Sequence, residues 1–474
     1  MVLSMNSNKK NKLSQAVHTA DNAMPVLHPN TAGIDIGSKS HFVAVPASRD
    51  SNPVREFSTF THDLHKMVAW LKECGIKTVV MESTGVFWIP AFELLESHGF
   101  EVKLANARHV KNVSAHKTDV LDCQWLQQLG TFGLLKGAFR PSNSILPLRV
   151  YLRQRDMLIK CASEHIQHMQ KALTQMNLHL HNVISDITGK TGMLIIRSIA
   201  AGVRDPKILA IHRDERCRKS KEVIEASLVG NYREEHVFSL IQALELYDFY
   251  AKKISECDAQ IEQTTKNLET KCDSKKLTEL NRVSIQKNKK KTLKKHEYPF
   301  DLRSELIRTT GVDLTLIPSI GVSTALTIVS EIGMDMTRWP SAKHFASWLG
   351  LCPGNKVSGG KRLSGKTKPA ANRVAIALRV AANTLYDSQC SFGAFLRRMK
   401  GRLGSPKAIT ALAHKLGKLI YTMLKHGNEY VEKGVEHYEK IYQERRKASL
   451  IQKAKDLGYE LIPILEGDLI PQTT

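Results

Sequence analysis

The sequence predicts an α/β domain near the N-terminus, followed by a mainly helical chain. Between residues 31 and 141, short apolar runs typical of buried strands alternate with stretches of helical periodicity. Residues 144–180 contain few glycines and prolines and are predicted to be helical. Residues 219–270 repeat apolar side chains three or four positions apart, which predicts a helical hairpin or a short coiled coil.

The α/β domain is predicted to begin with two antiparallel strands. Apolar runs around Ile34 and Phe42 flank the sequence Ser38-Lys39-Ser40, which reads as a turn, so we expect a hairpin. The domain should contain further strands near Val79 and at 102–104, and helices at 64–74, 89–98 and 118–130.

Four carboxylates in this domain suit a divalent-metal site at strand ends and on a facing helix: Asp35, Glu82, Asp119 and Asp122. Asp35 lies within Gly-Ile-Asp-Ile-Gly, which is difficult to explain as a solvated face, and a buried carboxylate is costly unless something pairs with it. Asp119 and Asp122 are three apart and share one helix face. Such oxygen-rich clusters prefer Mg²⁺ or Mn²⁺ to Zn²⁺, and two such ions can clamp a phosphodiester. The alternative is that each acid is a separate surface or capping residue.

The composition indicates a polyanionic partner. Lys and Arg total 69 against 46 acidic residues, a net charge of +23, and nucleic acid is the simplest partner. An acidic membrane surface or mere solubility is the alternative. None of the eight cysteines forms a C-x-x-C pair, which argues against zinc ribbons and a disulfide framework and for a reducing compartment. Without a membrane-length apolar run or a signal-peptide core, we expect a cytoplasmic protein with no membrane partner.

The predicted domain organisation has five parts: a mobile tail (1–29), the α/β domain (30–142), a helical region (143–300), a C-terminal domain (301–430) and a charged helical tail (431–474). The lysine-rich stretch 287–295 is either a solvated linker or a phosphate-contacting loop. Residues 316–325 resemble a helix-hairpin-helix, in which Gly321 and the next helix N-terminus offer N–H groups to a phosphate. An ordinary αα-corner is the alternative there.

A second chemical centre is predicted at 348–368, where glycines and basic residues surround two serines. Glycines let the backbone approach a ligand, and Lys or Arg supplies charge for phosphate. A serine in this setting can attack phosphorus if a cation stabilises its alkoxide. From the residues by themselves, a phosphate-binding loop with no covalent role is the simpler interpretation. The basic residues assigned to nucleic-acid binding are Lys361, Arg362, Lys366, Lys368 and Arg373.

Several motifs carry a family resemblance. Gly-Ile-Asp-Ile-Gly (33–37), Met-Glu-Ser-Thr-Gly (81–85) and His-Lys-Thr-Asp-Val-Leu-Asp (116–122) resemble the DEDD transposases of the insertion-sequence-110 family. The block Leu-Gly-Leu-Cys-Pro-Gly…Ser-Gly-Gly-Lys-Arg (349–362) resembles that family's C-terminal transposase domain. The motifs occur in the family's order and span about residues 30–425.

The resemblance implies a RuvC-like, RNase H-type first domain, a coiled-coil insertion at about 145–300 and DNA transposase activity. It implies that the DEDD tetrad, Asp35, Glu82, Asp119 and Asp122, holds Mg²⁺ (with Mn²⁺ as a substitute) and that Ser358 forms a phosphoserine link to DNA. Family members act as dimers or tetramers in which the serine of one protomer completes the metal site of another. A structured non-coding RNA guides the choice of donor and target DNA.

This chain departs from the family pattern in two places. Many relatives carry two serines before the glycine, whereas this chain has Val357-Ser358, and Ser364 is the second candidate nucleophile. The segment Thr118–Asp122 is less polar than usual but keeps the carboxylate spacing. Two other functions remain open: a junction-cutting nuclease that uses water and does not need Ser358, and a nucleic-acid-binding scaffold whose acids are structural.

Overall fold

The computed structural model describes residues 25–83, 85–105, 118–135, 137–272, 295–367, 372–427 and 434–462. The chain divides into two compact units, Met1–Arg140 and Pro141–Thr474. The first is a mixed α/β unit and the second is mostly helical, which confirms the predicted fold class at this level and is consistent with an RNase H-like domain followed by helices. In the part of the chain that is described, no helix is long and apolar enough to cross a membrane.

A five-stranded mixed sheet forms the centre of the first unit. Its strands follow one another in space as β3-β2-β1-β4-β5. β1 pairs antiparallel with β2, as predicted, and β2 pairs antiparallel with β3. β1 and β4 are parallel, and so are β4 and β5. The strands are β1 (Thr31–Ile36), β2 (Ser40–Ala44), β3 (Val54–Ser58), β4 (Thr78–Glu82) and β5 (Glu101–Ala105).

Helices cover both faces of this sheet. Side chains of Ile34 and Met81 enter a core shared with Leu71 of α1 and Leu95 of α2. On the opposite face, Val80 packs with Leu126 of α3. The helices lie at α1 (Thr61–Glu73), α2 (Trp88–Ser97) and α3 (Asp119–Thr131), each within three residues of its predicted bounds.

Two long helices, α4 (Leu146–Gln175) and α9 (Glu234–Lys266), pack against each other in the second unit. Arg155 and Asp258 form a buried ion pair between them, with Nε 2.5 Å from Oδ1. Within the stretch predicted to be helical at 219–270, one helix ends at Ala226 and α9 begins at Glu234. A separate apolar core joins the long helices to short ones at α5 (Leu180–Val183), α6 (Lys190–Ala200), α7 (Pro206–Ala210) and α8 (Lys221–Ala226). The finer assignment of α4 and α9 as a coiled coil remains a prediction.

Among the residues described in the rest of this unit, the regular elements are helices and a two-stranded hairpin. The carboxylate of Glu331 lies within 4.0 Å of the guanidinium groups of Arg149, Arg153 and Arg373, and these contacts join α4, α11 and α13. The elements are α10 (Leu302–Thr310), a 3₁₀ turn (Leu314–Leu316), α11 (Val322–Ile332), α12 (Ala342–Trp348), β6 (Lys356–Ser358), β7 (Lys361–Ser364), α13 (Arg373–Asn383), α14 (Ser391–Leu403), α15 (Ser405–His426) and α16 (Gly434–Asp456).

Candidate functional site

Asp35 and Glu82 lie at the carboxyl ends of neighbouring parallel strands. The β1–β4 register pairs Ile34 with Met81, and Asp35 and Glu82 are the next residues on their respective strands. Both side chains are half-buried. Adjacent strands are about 4.8 Å apart, which puts the two backbone positions close together.

Both acids lie on the sheet face that α3 covers. A Cβ built on Gly130 would meet the side chains of Thr31 and Val80, at 2.6 and 2.8 Å, so these two residues face α3. Residues two apart along a strand share a face. Asp35 and Glu82 therefore point to the side of the sheet on which α3 packs.

A glycine allows α3 to lie directly on β1. A Cβ on Gly33 would come within 2.3 Å of the backbone oxygen of Cys123 and the backbone nitrogen of Gln127. Since Thr31 meets Gly130 and Gly33 meets Cys123, α3 runs antiparallel to β1. The first turn of α3 is therefore brought towards Asp35.

That first turn carries Asp119 and Asp122. Asp119 is exposed and Asp122 is half-buried. Burial, helped by the negative charges of Asp35 and Asp122, raises the pKa of the Cys123 thiol to about 12. The carboxylates of Asp35 and Asp122 thus both lie within electrostatic reach of the Cys123 sulfur. Asp119 and Asp122 lie at the positive end of the helix dipole, which favours carboxylates. The Thr118 hydroxyl caps the helix by accepting from the Leu121 N–H at 3.3 Å.

The donor set fits a hard divalent cation in chemistry, because it consists of carboxylates at one edge of the sheet. Among the residues that the structure describes, however, no three His, Cys, Asp or Glu side chains are arranged to hold a metal ion. The fold brings the elements bearing Asp35, Glu82, Asp119 and Asp122 to one edge without closing the carboxylates into a ligand shell.

Ser358 lies at the tip of a hairpin, which the sequence predicted only as a glycine-rich loop. Strands β6 and β7 pair antiparallel, with Ser358 opposite Lys361. Gly359 and Gly360 form the two-residue connection with φ of +53° and +75°. Two-residue turns with φ above zero at both positions favour glycine and match the twist of a hairpin. Ser358 and Lys361 are both exposed, and directly opposed residues share a face of the ladder.

The other candidates in this unit differ in their surroundings. Ser364 is half-buried, and its hydroxyl accepts from the Lys366 N–H at 3.2 Å. Lys366 is exposed, Arg362 lies within β7, and Lys368 falls outside the described residues. The Arg373 guanidinium contacts Asp156 at 2.8 Å, so part of its charge is engaged within the protein.

Gly321 precedes α11 as its N-terminal cap, and no described atom lies within 4 Å of the position that a Cβ would occupy there. Ser319, two residues earlier, has a left-handed φ of +71°. Open space in front of a helix N-terminus is compatible with the predicted phosphate contact. The helix-hairpin-helix assignment itself remains a prediction.

The reasoning from the sequence missed the structural role of Gly33. An isolated glycine inside a strand marks a bulge or a close backbone approach, and that signal was available in the Gly-Ile-Asp-Ile-Gly run. It also missed the pairing of Ser358 with Lys361, although two glycines between short alternating segments are a hairpin signal.

Comparison with known families matches two parts of the chain. Residues 32–178 match a family model for DEDD proteins of the IS110 type, described as Transposase. Residues 313–395 match a second model, described as Transposase IS116/IS110/IS902 family. No curated protein matches the chain. The first match contains all four carboxylates, and the second contains the serine hairpin.

Proposed function

The chain belongs to the IS110 transposase family, and we propose that it cuts and rejoins DNA strands through a covalent phosphoserine at Ser358. Membership in this family implies a DNA transposase or recombinase. The observation that carries the proposal is the pair of family matches, in order along one chain, each containing one of the two chemical centres. Two structural features support the proposal. The carboxylates lie on the side of the sheet that α3 covers, and Ser358 is exposed at the tip of its hairpin.

In this proposal Asp35, Glu82, Asp119 and Asp122 hold Mg²⁺, with Mn²⁺ as a substitute. A divalent cation held there would supply positive charge that favours the ionised form of an attacking hydroxyl and offsets the charge of the phosphate. The protein contributes the placement of the ligands: two strand ends fix Asp35 and Glu82, and Gly33 lets α3 bring its first turn close.

Ser358 is the proposed nucleophile. Its Oγ loses its proton and forms a bond to phosphorus while the bond from phosphorus to a deoxyribose oxygen breaks, and the released oxygen takes up a proton and becomes a hydroxyl. Attack by a hydroxyl of the exchanged strand reverses the step, frees the serine and conserves the phosphodiester. The reaction therefore needs no nucleotide cofactor. Lys361, opposite Ser358, is placed to neutralise charge on the attacked phosphate.

We further propose that Arg362, Lys366 and Lys368 hold DNA strands beside the hairpin, and that the α11 N-terminus at Gly321 contacts a phosphate. Arg373 contributes mainly by anchoring α13, because its guanidinium contacts Asp156 and Glu331. These residues give positive charge to a chain whose net charge is +23, as expected for a partner with a phosphate backbone.

The proposed partners are donor DNA, target DNA, a structured non-coding guide RNA and further copies of the chain, as a dimer or tetramer. In the assembly, the serine of one protomer serves the carboxylates of another. We propose that this activity takes place in the cytoplasm of a bacterial or archaeal cell.

The direct test is formation of a covalent protein–DNA adduct. The full chain is incubated with the element's non-coding RNA, labelled donor and target DNA and Mg²⁺, and adducts are resolved under denaturing conditions. Adduct should form with the wild type and be lost in Ser358→Ala and Asp35→Asn, while Ser364→Ala retains it. An adduct that persists in Ser358→Ala would refute the assignment of the nucleophile.

The same assay separates the alternatives. A nuclease that uses water would cut DNA fully with Ser358→Ala and lose cutting with Asp35→Asn. A scaffold would bind nucleic acid in a salt-sensitive manner without any Mg²⁺-dependent strand breakage.

A further inference from the structure

The turn that follows Glu82 presents an aromatic ring to solvent. Phe87 is 47% exposed, and Val86 beside it is 67% exposed. Both residues lie between the carboxyl end of β4 and the start of α2. Burial of a Phe side chain is stabilising, and an exposed ring forgoes much of that stabilisation.

Hydrogen bonds on both sides fix this turn. The Ser83 N–H and hydroxyl both donate to the Ala105 carbonyl, at 3.2 and 3.3 Å. The Trp88 indole N–H donates to the Gly85 carbonyl at 3.1 Å. The Phe87 ring lies 3.6 Å from the position that a Cβ on Gly85 would occupy. These contacts restrain the backbone on either side of Phe87.

A second apolar segment lies on the first turn of α3. Val120 is 40% exposed and Leu121 is 48% exposed, and both stand between the two acids of that turn. Single exposed apolar residues are ordinary on protein surfaces. Here two short apolar segments adjoin carboxylates at the same edge of one sheet. We name the four residues the apolar rim: Val86, Phe87, Val120 and Leu121.

The chemistry of this edge selects among possible partners. Lys39, in the turn after β1, is exposed at the same edge and offers charge to phosphate. An aromatic ring and a cation at the same edge of the sheet fit an unpaired nucleobase, which has a flat apolar face and a charged backbone. Base faces inside a duplex are already stacked on each other. The rim therefore favours a strand with an unpaired base.

We propose that Phe87 stacks on an unpaired nucleobase of the DNA strand where that strand passes the carboxylate edge. This inference rests on the proposed function, because it takes the carboxylate edge as the place where DNA is cut. Stacking would hold the strand in register with Asp35 and Glu82, so Phe87 acts as a positioning residue.

Binding of a 2-aminopurine-labelled single-stranded DNA to the full chain, with Mg²⁺ and without RNA, tests this directly. Stacking on an aromatic ring changes the fluorescence of the base. Phe87→Ala and Phe87→Leu should weaken single-strand binding by at least about five-fold and remove the fluorescence change. Phe87→Trp should retain both. Phe87→Leu keeps an apolar side chain, which separates loss of stacking from loss of folding.

Phe238→Ala is the matched control, because Phe238 is 64% exposed on α9 in the other unit, and its binding should equal that of the wild type. A fully paired duplex of the same sequence should bind Phe87→Ala as tightly as it binds the wild type. Unchanged binding of the single-stranded DNA in Phe87→Ala and Phe87→Leu would overturn the proposal. A loss of binding seen only with a single-stranded RNA of the same sequence, and not with the DNA, would overturn it too. Since this assay needs no cleavage, its result is independent of whether Asp35→Asn abolishes strand cutting.

Discussion

Asp35 and Glu82 occupy adjacent positions on two parallel strands, one residue beyond the paired Ile34 and Met81. They are 47 positions apart in sequence (82 minus 35), and the sheet makes them neighbours. Like charges placed side by side repel each other unless a cation or a proton lies between them. A bound divalent cation would stabilise this pair, and the first turn of α3 brings further carboxylates to the same face.

The close contact between β1 and α3 predicts a large effect of Gly33→Ala. The new Cβ would meet backbone atoms of Cys123 and Gln127 at 2.3 Å, so the helix has to move. We expect a loss of at least about 2 kcal/mol in the free energy of unfolding of the α/β unit. Hydrogen exchange of residues 31–105 in urea measures it.

Gly401→Ala is the control for this change, because no described atom lies within 4 Å of the position that a Cβ would occupy at this residue of α14, and its φ is not positive. Alanine there should be neutral or stabilising by up to about 1 kcal/mol. Equal stability of Gly33→Ala and the wild type would show that α3 does not rest on β1 as described.

Mg²⁺ should stabilise the wild-type protein and leave Asp35→Asn unchanged. A ligand that binds only the folded state at 100 times its Kd adds about 2.7 kcal/mol. Thermal unfolding with Mg²⁺ and with EDTA gives the difference in Tm. Asp63→Asn is the control, because Asp63 pairs with Lys66 on α1 and should leave the Mg²⁺ effect intact. The same Mg²⁺ response in Asp35→Asn and the wild type would place the metal elsewhere.

The turn that carries Ser358 predicts opposite outcomes for two substitutions. Gly360 has a φ of +75°, which a β-branched residue adopts at a cost of about 1–2 kcal/mol. Gly360→Val should therefore reduce the rate of covalent adduct formation about ten-fold. Gly359→Asn creates Asn-Gly, a favoured pair for this turn, and should react like the wild type. If both variants react equally, the hairpin does not set the position of the serine.

The buried carboxylate of Glu331 predicts a structural effect. Its side chain is 9% exposed and lies 3.0 Å from Arg149 and 2.8 Å from Arg153. Glu331→Gln removes the negative charge beside these arginines and should cost about 3 kcal/mol in the free energy of unfolding of the helical unit. Glu262→Gln, at an exposed helical ion pair, should cost less than about 1 kcal/mol. Equal losses in urea unfolding would contradict the role assigned to Glu331.

His41 predicts a dependence of stability on pH. The residue is 1% exposed, and among the described residues its Nδ1 has no hydrogen-bond partner. Burial lowers the pKa of His41 below its usual 6.5. The unfolded chain therefore takes up this proton at a higher pH than the folded chain does, so acid favours unfolding.

The contribution of His41 to the free energy of unfolding should be level above about pH 7 and fall below about pH 6.5, by at most about 1.4 kcal/mol per pH unit. His41→Gln should flatten that part of the curve for the α/β unit. Exposed His65 gives the control, since His65→Gln should follow the wild type. A wild-type slope that persists in His41→Gln would assign the effect to other groups.

The local patterns predicted the strands at Ile34, Phe42, Val79 and 102–104, because alternation and apolar runs depend only on near neighbours in sequence. Strand β3 was not predicted. Its residues Val54–Ser58 are half-buried or exposed at the edge of the sheet, so the apolar signal is weak. The break between α8 and α9 has only a weak local signal, since Gly230 is the one glycine in residues 227–233 and no proline occurs there.

The sequence by itself determined the types of the chemical groups: four carboxylates in an α/β pattern, and a serine among glycines and basic residues. The tertiary structure decided which of these groups are neighbours. Parallel pairing of β1 with β4 and the contact of Gly33 with Cys123 join segments tens of residues apart. Strand pairing and helix packing depend on such non-local contacts, which no local periodicity encodes.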